Sequence, residues 1–147
     1  MPSWIFGRLP NPAIIHSSAA PNFEPSLAAV GISYIRLESL GGLRGTAKDS
    51  VNDAWRNASF RGYADHMQTD EFFRGLTELI ALATQHAIAI MCAEAVPWRC
   101  HRSLVGDALL VRGIEVGDIM STTKAIPHTL TSFAKIDGTT VIYPAQS

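Results

Sequence analysis

Residues 87–92 read Ala-Ile-Ala-Ile-Met-Cys, an apolar run without a polar break. A strand with one wet face alternates polar and apolar residues. A run that is apolar at every position fits a strand covered on both faces, as in a parallel sheet. The flanking sequence supports this. Upstream, residues 69–85 place Phe72, Leu76, Leu79, Ile80 and Ala83 on one face at helical spacing. Thr69 suits the cap of that helix, and Asp70 and Glu71 suit the positive end of its dipole. Downstream, a loop over 93–99 leads into a second helix ending near Arg112. Leu104, Val105, Ala108 and Leu109 line its face, and Gly113 is its stop. Residues 114–119 form the next strand candidate. Helix, strand, loop, helix, strand is a crossover unit, so the expected fold is α/β: a three-layer, mostly parallel sheet with flanking helices.

The rest of the chain is less regular. Residues 1–25 hold five of the eight prolines and show neither alternation nor helical periodicity. They read as an irregular segment, followed by a single domain over 26–147. Pro25 opens a short helix that Gly31 stops. Residues 32–37 read as a strand, and Gly41-Gly42 breaks the chain. The polar stretch 43–63 reads as a long loop, and 139–143 as a late strand at a sheet edge. Residues 121–138 remain ambiguous.

A chain of 147 residues is long enough to bury a core without staples. Its formal charge of −1 announces no extended nucleic-acid surface. The two cysteines do not make a secreted disulfide framework, so a reduced, cytoplasmic setting is expected. No apolar run approaches membrane-spanning length, and the first residues lack the pattern of a signal peptide.

Chemistry concentrates between Cys92 and Arg102. Cys92 falls at the carboxyl end of the expected central strand, where open α/β sheets bind ligands. Glu94, Arg99, Cys100, His101 and Arg102 follow around one strand-to-helix turn. Backbone N–H groups at a helix start attract anions, and guanidinium groups bind oxyanions in two-point fashion. The same surroundings lower a thiol's pKa. Cys92 is preferred as nucleophile, with Cys100 as the alternative. Glu94 and His101 are candidates for moving protons, and Arg99, Cys100 and Arg102 for holding the ligand. The plain structural alternative makes Cys92 a small buried hydrophobe. The loop has no glycine, and its arginine spacing differs from that of thiol phosphatases. A metal site has suitable ligand types, but Cys100 and His101 are adjacent and no Cys-x-x-Cys pair occurs, so none is assigned. No cofactor is assigned either.

A second stretch, 55–63, interleaves aromatic and basic residues. Arg56, Asn57, Arg61 and Tyr63 are candidate ligand contacts, with Trp55 as a stacking surface. Gly41 and Gly42 allow a close backbone approach. The competing reading is a surface loop pinned by its aromatics. His66 and His86 read as surface residues beside the first long helix, and His128 as part of a polar turn.

The string Met91-Cys92-Ala93-Glu94, then Pro97, then Cys100-His101-Arg102, resembles the signature of the DUF488 family, a domain of unknown function. Leu40-Gly41-Gly42, the stretch from Trp55 to Ala64, Met67-Gln68-Thr69 and Pro127-His128-Thr129-Leu130-Thr131 agree with it. The resemblance covers roughly 32–143. It implies a compact α/β fold with a parallel-type sheet and no settled reaction. Relatives usually begin with a strand and a Gly-His-Ser turn, then a helix and a strand ending in Asp-Val-Arg. Neither motif stands here, and His16-Ser17 lacks the preceding glycine. The expectation is therefore a shortened N-terminus without the family's first strand region, leaving a sheet edge open to a partner chain or to self-association.

Three functions follow as expectations. One is a thiol-dependent enzyme acting on a small anionic or nucleotide-like substrate. Another is a module that binds nucleotides or nucleic-acid ends without catalysis. The last is a truncated, inactive product.

Overall fold

In a computed structural model of the chain, the described residues are 3–5, 13–16, 24–42, 44–91 and 101–145. Strands β1 (Ser3–Ile5) and β2 (Ala13–His16) precede helix α1 (Glu24–Ala29) and strand β3 (Ser33–Arg36). A 3-10 turn, Glu38–Leu40, follows. Helices α2 (Ala58–His66) and α3 (Asp70–Ala83) lead to β4 (Ile88–Met91). Helix α4 (Arg102–Leu110), β5 (Val116–Ile119), β6 (Ala125–Pro127), β7 (Lys135–Asp137) and β8 (Thr140–Ile142) complete the order.

The long helix forms for the reasons its sequence suggests. Thr69 caps α3, its hydroxyl accepting from the Phe72 N–H at 3.3 Å. Phe72, Leu76 and Leu79 point inward and are each at most 1% exposed. Burial of each contributes about 1.5–3 kcal/mol. They meet Ile88 and Ile90 of β4, Leu104, Val105 and Leu109 of α4, and Val116 of β5 in one core. Ala89 and Met91, on the opposite face of β4, are half-buried. α1 and α4 are each followed by a glycine with positive φ, Gly31 at 77° and Gly113 at 79°.

The main sheet has the order β3-β2-β4-β1-β5-β6. β2 is parallel to both β3 and β4, whereas β1 is antiparallel to β4 and β5, and β6 is antiparallel to β5. The sheet is thus mixed, with a parallel trio at one side, instead of mostly parallel. The crossover unit is real, since β4 and β5 share a direction. Its two strands are separated by β1, which an apolar run cannot foretell: such a run demands neighbours but does not fix their direction.

Segment 1–25, expected to be irregular, contributes both β1 and β2. β2 fills the centre of the parallel trio, with Ala13–His16 in register with Ser33–Arg36 and Ile88–Met91. The N-terminal strand region expected to be missing is therefore occupied, and the edges of the sheet among the described residues are β3 and β6. Strands of three and four residues between prolines are too short to show alternation.

The stretch 43–63 also differs from a long loop, because α2 begins within it. Asn57 caps that helix, accepting from the Ser59 N–H at 2.8 Å. The preceding loop is held down by side chains. Asp65 accepts from Ser50 Oγ at 2.6 Å, Asn52 Nδ2 at 2.8 Å and the Ala47 N–H at 2.7 Å. Asn52, fully buried, also accepts from the Tyr143 N–H at 2.9 Å. The late strand β8 pairs with β7 in a separate hairpin and does not extend the main sheet. Among the described residues, no helix is long and apolar enough to cross a membrane.

Candidate functional site at the carboxyl end of the sheet

The parallel trio ends on one line. Arg36 of β3, His16 of β2 and Met91 of β4 occupy the same register row, the last of each strand. Cys92 directly follows Met91 in the chain. Residues 92–100 lie outside the described residues, and with them Cys92, Glu94, Arg99 and Cys100. His101, immediately before α4, is the next described residue.

Several expected site residues meet here. After β3 the chain turns through Glu38–Leu40, and the Gly41 N–H closes that turn on the Glu38 carbonyl at 2.9 Å. Tyr63, in α2, donates its hydroxyl to the Leu40 carbonyl at 2.8 Å, and its ring is buried. The His101 ring lies 4.8 Å from the Tyr63 ring, centroid to centroid. It also lies against Gly42, where a Cβ would come within 3.0 Å of His101 Nδ1. A side chain at Gly42 would press on this imidazole. Arg102, the first residue of α4, is 1% exposed. Gly41, Gly42, Tyr63 and His101 thus converge from three separate stretches of sequence.

Arg44 and His66 hold this turn in place. Arg44 donates from Nη2 to the Glu38 carbonyl at 2.8 Å and from Nε to the Gly41 carbonyl at 3.1 Å. His66 is buried at 6% exposure, not a surface residue as its sequence position suggested, and its Nε2 lies 2.7 Å from the Ser39 carbonyl. Burial pushes its pKa below 6.5, so the neutral ring donates from Nε2 to Ser39.

The remaining expected contacts do not join this cluster. Asn57 spends its side chain on the α2 cap. Arg61 donates from Nε and Nη2 to the Trp55 carbonyl, at 3.0 and 2.8 Å. The Trp55 ring packs against Phe60, Phe133 and Tyr143 at centroid distances of 4.9, 4.8 and 5.4 Å. Arg56 is exposed.

A second polar cluster escaped the sequence reading. Asp107 is fully buried in α4 and accepts four hydrogen bonds. The donors are His128 Nε2 at 2.9 Å, the Thr131 N–H at 3.2 Å, Thr131 Oγ1 at 2.6 Å and the Tyr143 hydroxyl at 2.8 Å. His128 Nδ1 faces Asp118 Oδ2 of β5 at 3.0 Å. Burial alone would lower the pKa of His128. The hydrogen bonds to Asp107 and Asp118, with the charges behind them, outweigh it and raise the imidazole to about 9. Burial, then the Asp107 charge, pushes the Tyr143 hydroxyl well above the usual phenol range. With both ring nitrogens facing carboxylates, His128 is an imidazolium that donates twice. It has no lone pair for a nucleophile, so this is not a catalytic triad. Among the described residues, no group of three or more His, Cys, Asp or Glu side chains is arranged to hold a metal ion. The one local signal was a histidine after a proline. Its partners are 10 and 21 residues away, a separation that no local pattern encodes.

The family model of the domain of unknown function DUF488 matches residues 16–109. No curated protein and no solved structure gives a significant match to the chain.

Proposed function

The chain belongs to the DUF488 family, and from that premise we propose that it is a thiol-dependent enzyme. Its small anionic or nucleotide-like substrate would sit in the crevice beyond the carboxyl ends of β2 and β4.

The observation that carries this reading is the parallel pairing of β2 with β4, which aligns His16 with Met91 just before Cys92. The β2-to-β3 connection steps one way along the sheet. The β3-to-β4 connection steps back past β2. Such connections are right-handed in nearly all proteins, so opposite steps carry their helices to opposite faces. β2 leads to a neighbour on one side and β4 to β5 on the other, and the usual ligand site of open α/β sheets lies beyond the carboxyl ends of two such adjacent strands.

In this reading the Cys92 thiolate bonds to the electrophilic atom of the substrate. The leaving group departs with a proton held at His101 or Glu94. Arg99 and Arg102, with the start of α4, hold the oxyanion. Gly42 and Tyr63 fix the ring of His101. Binding of nucleotide or nucleic-acid ends draws less support, since Arg61 is engaged by the Trp55 carbonyl and the Trp55 ring is packed among aromatics.

The test is the iodoacetamide alkylation rate of each cysteine against pH, followed by mass spectrometry. The expected result is a native midpoint for Cys92 well below the free-thiol value of about 8.5, with protection by inorganic phosphate. A Cys92 that labels only after denaturation overturns the reading. A lowered midpoint at Cys100 alone moves the nucleophile to that residue.

A further inference from the structure

The hairpin of β7 and β8 is separate from the main sheet, and among the described residues β7 pairs with β8 alone. Lys135, Ile136 and Asp137 of β7 are all exposed, with Ile136 at 53%. The hairpin lies beyond the stretch that the family model matches.

Ladder geometry fixes which backbone groups face the open edge of β7. Asp137 pairs with Thr140 across a two-residue turn, Gly138 and Thr139, with Gly138 at a φ of 65°. The pair that closes so short a turn exchanges both of its backbone hydrogen bonds, and bonded and unbonded pairs alternate along an antiparallel ladder. Ile136 and Val141 are therefore the unbonded pair. Their N–H and C=O groups point outward, away from the other strand. On the β8 side, the outward Val141 carbonyl accepts from Gln68 Nε2 at 3.2 Å. On the β7 side, the outward N–H and C=O of Ile136 have no partner among the described residues. An open donor and acceptor on an exposed strand are a template for another strand.

The side chains decide which strand. Lys135 and Asp137 share one face of β7, and neither forms an ion pair among the described residues. Consider a second β7 laid antiparallel with a two-fold axis at Ile136. Lys135 then meets the partner's Asp137, and Asp137 meets the partner's Lys135. An axis at Lys135 would oppose two lysines, and one at Asp137 two aspartates, which destabilises a strand pair. A lysine on an edge usually discourages pairing; about Ile136 it finds a carboxylate. Charge and hydrogen bonding thus select the same axis independently. Around it the two Ile136 residues exchange both backbone bonds, and their side chains cover each other on the opposite face.

We infer that β7 is a self-association edge: two copies of this chain pair antiparallel about Ile136, joining two hairpins into one four-stranded sheet. The contact is isologous and closes on itself. Standard interfaces use about 20–30 residues a side, so this short one gives a weak, concentration-dependent dimer.

The test is sedimentation velocity of the whole chain over a concentration series up to about 1 mM, with amide hydrogen exchange at Ile136 followed by NMR. Average mass is expected to rise with concentration, and exchange at Ile136 to slow over the same range. Asp137→Lys and Lys135→Asp, each alone, set like charges across the axis and should weaken association at least about tenfold. Both positions are exposed, so the fold stays intact. An equimolar mixture of the two variants recreates the unlike pairs and should restore association, as should the two substitutions combined in one chain. A monomer at every concentration overturns the inference. So does association undiminished in either single variant, or a mixture that fails to associate. A dimer with unchanged exchange at Ile136 overturns it too, since the contact would then lie elsewhere.

Discussion

Asp107 is the buried side chain on which His128, Thr131 and Tyr143 converge. A buried carboxylate is tolerated only where its acceptor sites are filled, and here four donors fill them. Asp107→Asn leaves the buried His128 with one carboxylate in place of two, and should cost about 3–5 kcal/mol in urea denaturation. The pH dependence follows from the same bonds. His128 binds its proton more tightly folded than unfolded, with a pKa of about 9 against 6.5. Its contribution is complete below 6.5 and is lost as pH rises toward about 9, amounting to up to about 3 kcal/mol. His66 acts in the opposite sense. Its folded pKa is lowered, so its contribution is present above 6.5 and is lost as the pH falls. Denaturation across this range should show a decline on the alkaline side that His128→Gln abolishes. An unchanged alkaline limb in that variant would contradict the assignment.

Among the elements, α2 depends on a close approach that its sequence conceals. Gly62 lies against the backbone of Arg44 and Gly45, and a Cβ there would run into the Arg44 carbonyl oxygen. Gly62→Ala gains about 1 kcal/mol of helix propensity. It should nevertheless destabilise the protein by about 1–3 kcal/mol, since backbone cannot step aside as a side chain can. Gly42→Ala is the contrasting case. Its Cβ would press on the imidazole of His101 at 3.0 Å, and a side chain can yield. Thermal stability should change little, while the His101 ring resonances and the Cys92 alkylation profile shift. Unaltered His101 resonances would show that Gly42 does not hold the ring. The elements themselves were unevenly legible. The helix over 69–85 and the strand over 87–92 carried long apolar patterns and caps, and form as α3 and β4. β1 and β2 span three and four residues, too few for a period to show.

In the whole molecule, the core does not stop where the family match stops. The match ends at Leu109, yet Val116, Val141 and Tyr143 are buried in the same core as Leu76 and Leu104. Tyr143 also caps Asp107, and its backbone N–H bonds to the buried Asn52. A chain cut after Ile119 loses all four donors to Asp107 and uncovers the aromatic cluster around Trp55. Such a fragment should lose cooperative thermal unfolding by circular dichroism. A sharp melt close to that of the whole chain would mean that the C-terminal hairpin is only an appendage.

The sequence by itself determined helices α1, α3 and α4, the buried strand ahead of Cys92, the crossover that follows it and the family. These rest on local periodicity, caps and contiguous motifs, which act within a few residues of chain. Tertiary structure alone decided that β2 fills the centre of the sheet and that β1 separates β4 from β5. It also brought Gly42, Tyr63 and His101 together, and closed Asp107, His128 and Asp118 into one charged cluster. These contacts join residues from ten to more than a hundred positions apart. Their partners are selected by packing and by the cost of burying unpaired polar groups, and neither leaves a period in the sequence.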